Sequence, residues 1–220
     1  MTNDQSPFAD LDFDESLLDS LKGEKILVKY GGNAMKNDDL KYSVVQDICF
    51  LMDKGIEPVI VHGGGPFIAD MLDMAGIVSE FVGGHRKTDL EAVKFVEMAL
   101  KGQVNSDIVK LINSFGYKGV GLSGKDGQTA TAMKRKDKIE VDGKLQEVDL
   151  GQVGDIKEIN TDFLNLIMDN GFIPVVAPLA TGEDHETYNV NADMFAGHLA
   201  GALKVSHYIA MTDVDGLRKD

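Results

Sequence analysis

The sequence predicts an α/β fold built on a mostly parallel sheet. From residue 24 onward, short apolar runs alternate with segments of helical period. Most of these runs close in glycine or polar turns, and the run FIPVVAP (172–178) is apolar on both faces, as a centrally buried parallel strand requires.

Residues 1–8 are polar. Leu11, Leu17, Leu18 and Leu21 follow in an acidic segment that fits either a weak amphipathic helix or a frayed leader. KILVKY (25–30) is the first strand, after which Leu40, Val44, Ile48, Leu51 and Met52 recur at helical spacing up to Gly55. Cys49 lies on that helical face, as a small core filler does. EPVIV (57–61) is the second strand, and Pro66 is expected in the first turn of a helix through Ile68, Met71, Leu72 and Ala75 that Gly76 stops. This strand-helix order implies parallel strands joined by right-handed crossovers.

Thr88 and Glu91 have the spacing of a capping box, which would open a helix carrying Val93, Val96, Leu100, Val104, Ile108 and Leu111 as far as Gly116. KGVGL (118–122) is the next strand, and residues 130–156 read as one or two hairpins beside the main sheet. A helix over 161–170 ends at Gly171 before FIPVVAP. LATGEDHETYNVNAD reads as a loop, followed by a helix over 192–203 and the strand VSHYIA (205–210). No internal repeat interrupts this order, and the polar stretch near 178–188 marks a mild division of the chain.

Charge narrows the partners. The 220 residues carry 22 Lys+Arg against 36 Asp+Glu, a formal net charge of -14, which disfavours nucleic acid and anionic membrane surfaces. An anionic substrate would need a local positive site made of glycine-loop amides, lysines or a metal ion. With Cys49 as the only cysteine, neither an intrachain disulfide nor a structural zinc set can form. The first twenty residues have neither the basic nor the apolar region of a signal peptide, and no apolar run reaches membrane-spanning length, so a cytoplasmic protein is expected.

The chemistry gathers in the turns. YGGNA, HGGGP, SGKDG and TDVDG each follow a strand, so they are expected to converge beyond the carboxyl edge of the sheet, where open α/β folds bind ligands. Gly31 and Gly32 let backbone amides approach an anion that the Lys29 ammonium can also reach, although a lysine beside two glycines also makes a surface turn. In His62-Gly63-Gly64-Gly65-Pro66, three glycines before a proline-started helix place bare amides at a positive helix end; a tight turn alone needs only one glycine. His62 receives no catalytic role. Arg86 in GGHRKTD can grip a carboxylate through two parallel hydrogen bonds, or simply be solvated. Asn189, Asn191 and Asp193 alternate before a helix and either project into a site or cap the helix. Asp213 and Asp215 are site residues or turn formers. Neither the Walker A nor the Rossmann glycine spacing is present.

Together KYGGNAM, VIVHGGGP, GHRKTD, GLSGKDG, YNVNAD and TDVDGL resemble the amino acid kinase family, over about residues 22–220. The resemblance implies a three-layer α/β/α sandwich of the carbamate kinase-like kind, with a leader over 1–22 suited to oligomerisation. An acetylglutamate-binding lobe would span 23–180, and an ATP-binding lobe would start over 181–220. It implies transfer of the γ-phosphoryl group of MgATP to N-acetyl-L-glutamate, in a homodimer or larger homo-oligomer, with no permanently bound cofactor and no metal-ligating residues. By the same resemblance, Lys29 stabilises the transferring phosphoryl group beside the amides of Gly31 and Gly32. Gly64 and Gly65 bind the reacting carboxylate, Arg86 holds the α-carboxylate and Asn189 contacts the substrate. Asp193 organises the catalytic lysines, and Asp213, Val214, Asp215, Gly216, Leu217 and Arg218 line the nucleotide site.

Members of that family continue past TDVDGL to a second catalytic lysine opposite Lys29. The 220-residue chain is therefore expected to be truncated, to bind ATP poorly and to turn over slowly or not at all. Two other readings remain open: a family member with a carbamate, glutamate, aspartate or aminoadipate-type acceptor, and a non-catalytic acetylglutamate-binding protein without a working ATP site.

Overall fold

The computed structural model describes residues 15–32, 34–141 and 144–212, with no account of the side chains of 137–141, 144 and 145. In chain order the elements are α1 (Glu15–Ser20), β1 (Lys25–Tyr30), α2 (Asp38–Asp53), β2 (Glu57–His62), α3 (Gly65–Met74) and the short strands β3 (Phe81–Val82) and β4 (His85–Arg86). Then come α4 (Ala92–Glu97), a π-helical segment (Met98–Asn105) and α5 (Ser106–Ser114), followed by β5 (Gly119–Ser123), β6 (Ala130–Val141), β7 (Lys144–Ile159) and α6 (Asp162–Asp169). The last elements are β8 (Ile173–Ala177), β9 (Leu179–Gly182), β10 (Thr187–Val190), α7 (Ala192–Leu203) and β11 (His207–Met211).

The main sheet has the order β11-β1-β2-β8-β5, and every pairing in it is parallel. Side chains alternate across a strand, and here both faces are buried. Ile26, Val28 and Tyr30 of β1 pack with Val45, Ile48 and Cys49 of α2 and with Ile108 and Ile112 of α5. Leu27 faces the other way, with Val59 and Val61, onto Leu164 and Met168 of α6 and Phe195 and Leu199 of α7. Helices on both faces of one parallel sheet give the three-layer sandwich. Phe195 is fully buried at the junction of these layers. Phe195→Ala is therefore expected to destabilise the fold by about 3–5 kcal/mol, read from denaturant midpoints.

The stretch LATGEDHETYNVNAD is not a loop. It contains β9 and β10, which with β6 and β7 close a small four-stranded barrel in the order β10-β7-β6-β9. The expected hairpin is present as β6 and β7, but it is part of this closed unit rather than laid on the main sheet. So tight a barrel has room inside only for small groups around Tyr188: Ala132 and Ala180 pack there, and a Cβ added at Gly154 would lie 2.8 Å from the Tyr188 Cβ. Glycine and alanine at these inward positions weaken the alternating pattern by which a strand is recognised.

Two further expectations are corrected. Thr88 does not cap the helix that follows. It is buried, its hydroxyl donates to the Arg86 carbonyl at 2.9 Å, and its amide donates to Leu150 in β7. The neighbouring Asp89 carboxylate accepts from the amides of Glu91 (3.0 Å) and Ala92 (2.7 Å) instead. The helix itself widens into a π segment over Met98–Asn105. That segment adds length to the turn, so Val104, Ile108 and Ile112 lie fully inside while Leu111 is only partly covered.

Candidate active site

Parity along β1 determines where the site forms. Lys29 shares the face of Leu27, so its side chain points toward α7 at the carboxyl edge of the sheet. There its ammonium lies 2.8 Å from the Asp193 carboxylate, with Lys29 only 8% exposed and the Asp193 side chain 60% exposed. The Asp193 position is fixed by the start of α7. Asn191 is the N-cap, its side-chain oxygen accepting from the amides of Asp193 (2.9 Å) and Met194 (3.1 Å). Asn191 thus has the capping role, while Asp193 is left free to meet Lys29.

Two glycine turns close on each other opposite this pair. Gly63 donates to the Tyr30 carbonyl at 2.8 Å, tying the second turn to the end of β1. A Cβ added at Gly32 would lie 3.1 Å from both the Gly64 and Gly65 amide nitrogens and 3.1 Å from Pro66 Cδ. Only a residue without a side chain leaves that space open. The Gly64 and Gly65 amides have no hydrogen-bond partner among the described residues. They sit at the first turn of α3, which has no side-chain cap and begins with proline, so the positive end of the helix dipole points where these amides do. The result is a cavity of about 310 Å³ lined by Lys29, Gly31, Gly32, Gly63, Gly64, Gly65, Asn189, Asn191 and Asp193, with Ile68, Leu100 and Pro178 as apolar walls. Its donors suit an anion with several oxygens.

Arg86 stands beside the nest. Its guanidinium donates to the Gly65 carbonyl at 3.1 Å and to the Ser79 hydroxyl, and lies 4.5 Å from the Phe81 ring centre. It is thereby fixed against the first turn of α3, although the cavity wall itself does not include it. Asn189 reaches the cavity from β10, between the β7 and β9 partners of that strand. The SGKDG turn does not line the cavity. Its Lys125 is engaged by Glu97 at 2.8 Å and Thr187 at 3.1 Å, and Asp126 accepts from Ser123 and from Lys101. Residues 213–218, expected to line a nucleotide site, lie outside the described residues.

Reading the sequence missed the apolar walls and the polar pair behind the nest. His62 is fully buried and Asn105 is 2% exposed, with the Asn105 side-chain nitrogen 3.0 Å from His62 Nε2. Burial pushes the His62 imidazole from its ordinary 6.5 down to about 4, so the ring is neutral near pH 7. No pattern announces Asn105, because it is the π turn that brings this residue to the inner face.

The amino acid kinase family model matches residues 24–220. The chain is 47% identical over 197 residues to the acetylglutamate kinase of Geobacter metallireducens, covering 89% of this chain and 68% of that enzyme. It is 47% identical over 199 residues to the acetylglutamate kinase of Methanocaldococcus jannaschii, covering 90% of this chain and 66% of that enzyme. It thus spans about two thirds of the length of these curated relatives. Among solved structures, the N-acetylglutamate synthase of Neisseria gonorrhoeae in complex with coenzyme A and N-acetyl-glutamate superposes with a TM-score of 0.77 at 22% identity, covering 97% of this chain and 47% of that one, a likeness of fold. A parallel sheet with glycine turns meeting a strand-end lysine, matched over nearly its whole length, makes this chain a member of the amino acid kinase family.

Proposed function

We propose that this protein phosphorylates the γ-carboxylate of N-acetyl-L-glutamate with ATP, giving N-acetyl-L-glutamyl 5-phosphate, a step of arginine biosynthesis. The activity follows from the 46–47% identity to acetylglutamate kinases. The observation that best supports the residue assignment is the apposition of Lys29 and the open amides of Gly64 and Gly65 across one cavity.

A carboxylate is already a nucleophile at neutral pH, so no general base is required. One of its γ-oxygens forms a bond to the γ-phosphorus of ATP as the bond from that phosphorus to the β,γ-bridging oxygen breaks, and ADP departs with the electron pair. The barrier is electrostatic: two anions must meet while charge builds on the leaving oxygen. In this reading Lys29 and the Gly32 amide take up charge on the transferring phosphoryl group; the Gly31 amide, expected beside them, instead donates to the Met211 carbonyl at 3.2 Å. The Gly64 and Gly65 amides hold the reacting carboxylate, and the remaining guanidinium donors of Arg86 hold the α-carboxylate. Asn189 contacts the substrate, and Asp193 keeps the Lys29 ammonium aimed into the cavity. MgATP is the co-substrate, with residues 213–218 on its side, so that the acetylglutamate lobe is 23–180 and the nucleotide lobe begins at 181.

The enzyme would act in the cytoplasm as a homodimer or larger homo-oligomer. Exposed Val78, Phe81 and Leu90 on the amino-terminal half offer apolar surface for such contacts. Among the described residues, no helix is long and apolar enough to cross a membrane.

The direct test supplies N-acetyl-L-glutamate and MgATP and traps the acyl phosphate with hydroxylamine. The expected product is the hydroxamate of N-acetylglutamate, formed slowly by the 220-residue chain. Equal or faster product formation with carbamate, glutamate or aminoadipate in its place would overturn the acceptor assignment.

A further inference from the structure

The pair behind the glycine nest has a definite proton arrangement. The Asn105 side-chain nitrogen faces three groups: the Val175 carbonyl at 2.8 Å, the Leu122 carbonyl at 3.3 Å and His62 Nε2 at 3.0 Å. Backbone carbonyls only accept hydrogen bonds, so the atom between them is the donor-only NH2 group of the amide. A ring N–H would find no acceptor there, so His62 Nε2 is unprotonated and accepts, the two amide hydrogens being shared among the three groups. A neutral ring that accepts at Nε2 carries its proton on Nδ1. That Nδ1 lies 2.9 Å from the Gly63 carbonyl, which accepts the proton's hydrogen bond.

The Gly63 carbonyl and the Gly64 amide belong to one planar trans peptide, and the two bonds point in opposite directions. Whatever fixes the carbonyl therefore fixes the amide. We propose that His62, locked in its tautomer by Asn105, is a positioning residue that aims the Gly64 amide into the anion nest. Glycine on either side of that peptide leaves it free to rotate by itself, since neither neighbour restricts φ and ψ. The ring supplies the missing restraint from inside the core, where water cannot compete.

The chain of contacts reaches the far edge of the sheet. A Cβ added at Gly121 in β5 would lie 2.1 Å from the Asn105 side-chain oxygen, so glycine there is what lets Asn105 sit at His62. The widened helical turn over Met98–Asn105 serves the same arrangement, since it brings both Asn105 and Leu100 to the nest; Leu100 Cδ2 would be 2.6 Å from a Cβ at Gly64.

The inference rests on the kinase reading only for its ligand, N-acetyl-L-glutamate. The test uses the full chain. In the ligand-free wild type, the nitrogen spectrum of the imidazole is expected to show the Nδ1–H form. His62→Phe keeps the ring volume and removes both contacts, whereas His62→Asn keeps an amide donor within reach of the Gly63 carbonyl. The expected result is a shifted Gly64 amide resonance and about tenfold weaker N-acetyl-L-glutamate binding in His62→Phe, with both largely restored in His62→Asn. Gly121→Ala should shift the same Gly64 resonance from a distance, and it serves if His62→Phe does not fold. An Nε2–H ring in the wild type, or an unmoved Gly64 resonance in the folded variants, would overturn the inference. Wild-type protein that fails to bind N-acetyl-L-glutamate would instead sink the kinase reading, while the ring tautomer and the Gly64 resonance still decide this one.

Discussion

Replacing Lys29 with methionine is expected to lower kcat/KM for N-acetyl-L-glutamate and MgATP by about 10²–10³-fold, with little change in melting temperature. Methionine keeps the apolar stem packed in the α7 face and removes only the charge. The loss has two parts. In the proposed role of Lys29, the transferring phosphoryl group is deprived of a cation in a largely desolvated place, where Lys29 is 8% exposed. The Asp193 carboxylate, 2.8 Å from the ammonium in the intact site, then faces the cavity unneutralised and repels the anions that must enter. Asp193→Asn removes that carboxylate and leaves the ammonium, so its effect is expected to be smaller, about tenfold, and mainly on kcat through misplacement of Lys29. A double variant separates the two parts: if repulsion by Asp193 contributes, Lys29→Met combined with Asp193→Asn will be less impaired than Lys29→Met alone.

Gly32→Ala is the second large effect. Its methyl carbon would occupy the point 3.1 Å from the Gly64 and Gly65 nitrogens, the position an oxygen needs in order to accept from both. The methyl would also press on Pro66 Cδ at 3.1 Å, so kcat/KM is expected to fall by about 10²-fold with a loss of stability of about 1–3 kcal/mol. Gly64→Ala is a useful contrast. There the crowding is with Leu100 Cδ2, the flexible end of a side chain, so Leu100 can move aside and the amide stays available. Steady-state kinetics on the pair would show whether open amides or mere crowding governs activity; equal losses in both would contradict the nest.

The main sheet was legible because its strands are apolar on both faces and bounded by glycine, as in KILVKY, EPVIV and FIPVVAP. The barrel was not. Its β6 and β7 were read as a hairpin, but β9 and β10 are only 4 residues each, and with Ala180 as an inward residue they carry too little hydrophobic contrast to register as alternation, so they read as loop. The helix over 92–114 was found as a helix, yet its wide turn was invisible, since sequence periodicity assumes a uniform pitch. In the site, Lys29 and the glycine turns stood out because each interrupts an apolar run with groups that bind anions. His62 and Asn105 did not, because a buried polar pair declares itself only through partners from distant parts of the chain; Asn105 meets a carbonyl 70 residues away. Thr88 misled for a local reason: its hydroxyl found the Arg86 carbonyl before it could reach the helix amides.

The alternation of side chains along β1 carries a consequence for how this catalyst can vary. Tyr30, Val28 and Ile26 face α2, and Lys29 and Leu27 face α7. One residue inserted or deleted within β1 before Lys29 would keep the hydrogen-bonded ladder but turn the ammonium into the apolar layer beneath α2, and turn the Tyr30 ring toward α7. A shift of two would keep the face but carry Lys29 about 6–7 Å along the strand, away from Asp193, so both the parity and the length of this segment are held by the one ammonium.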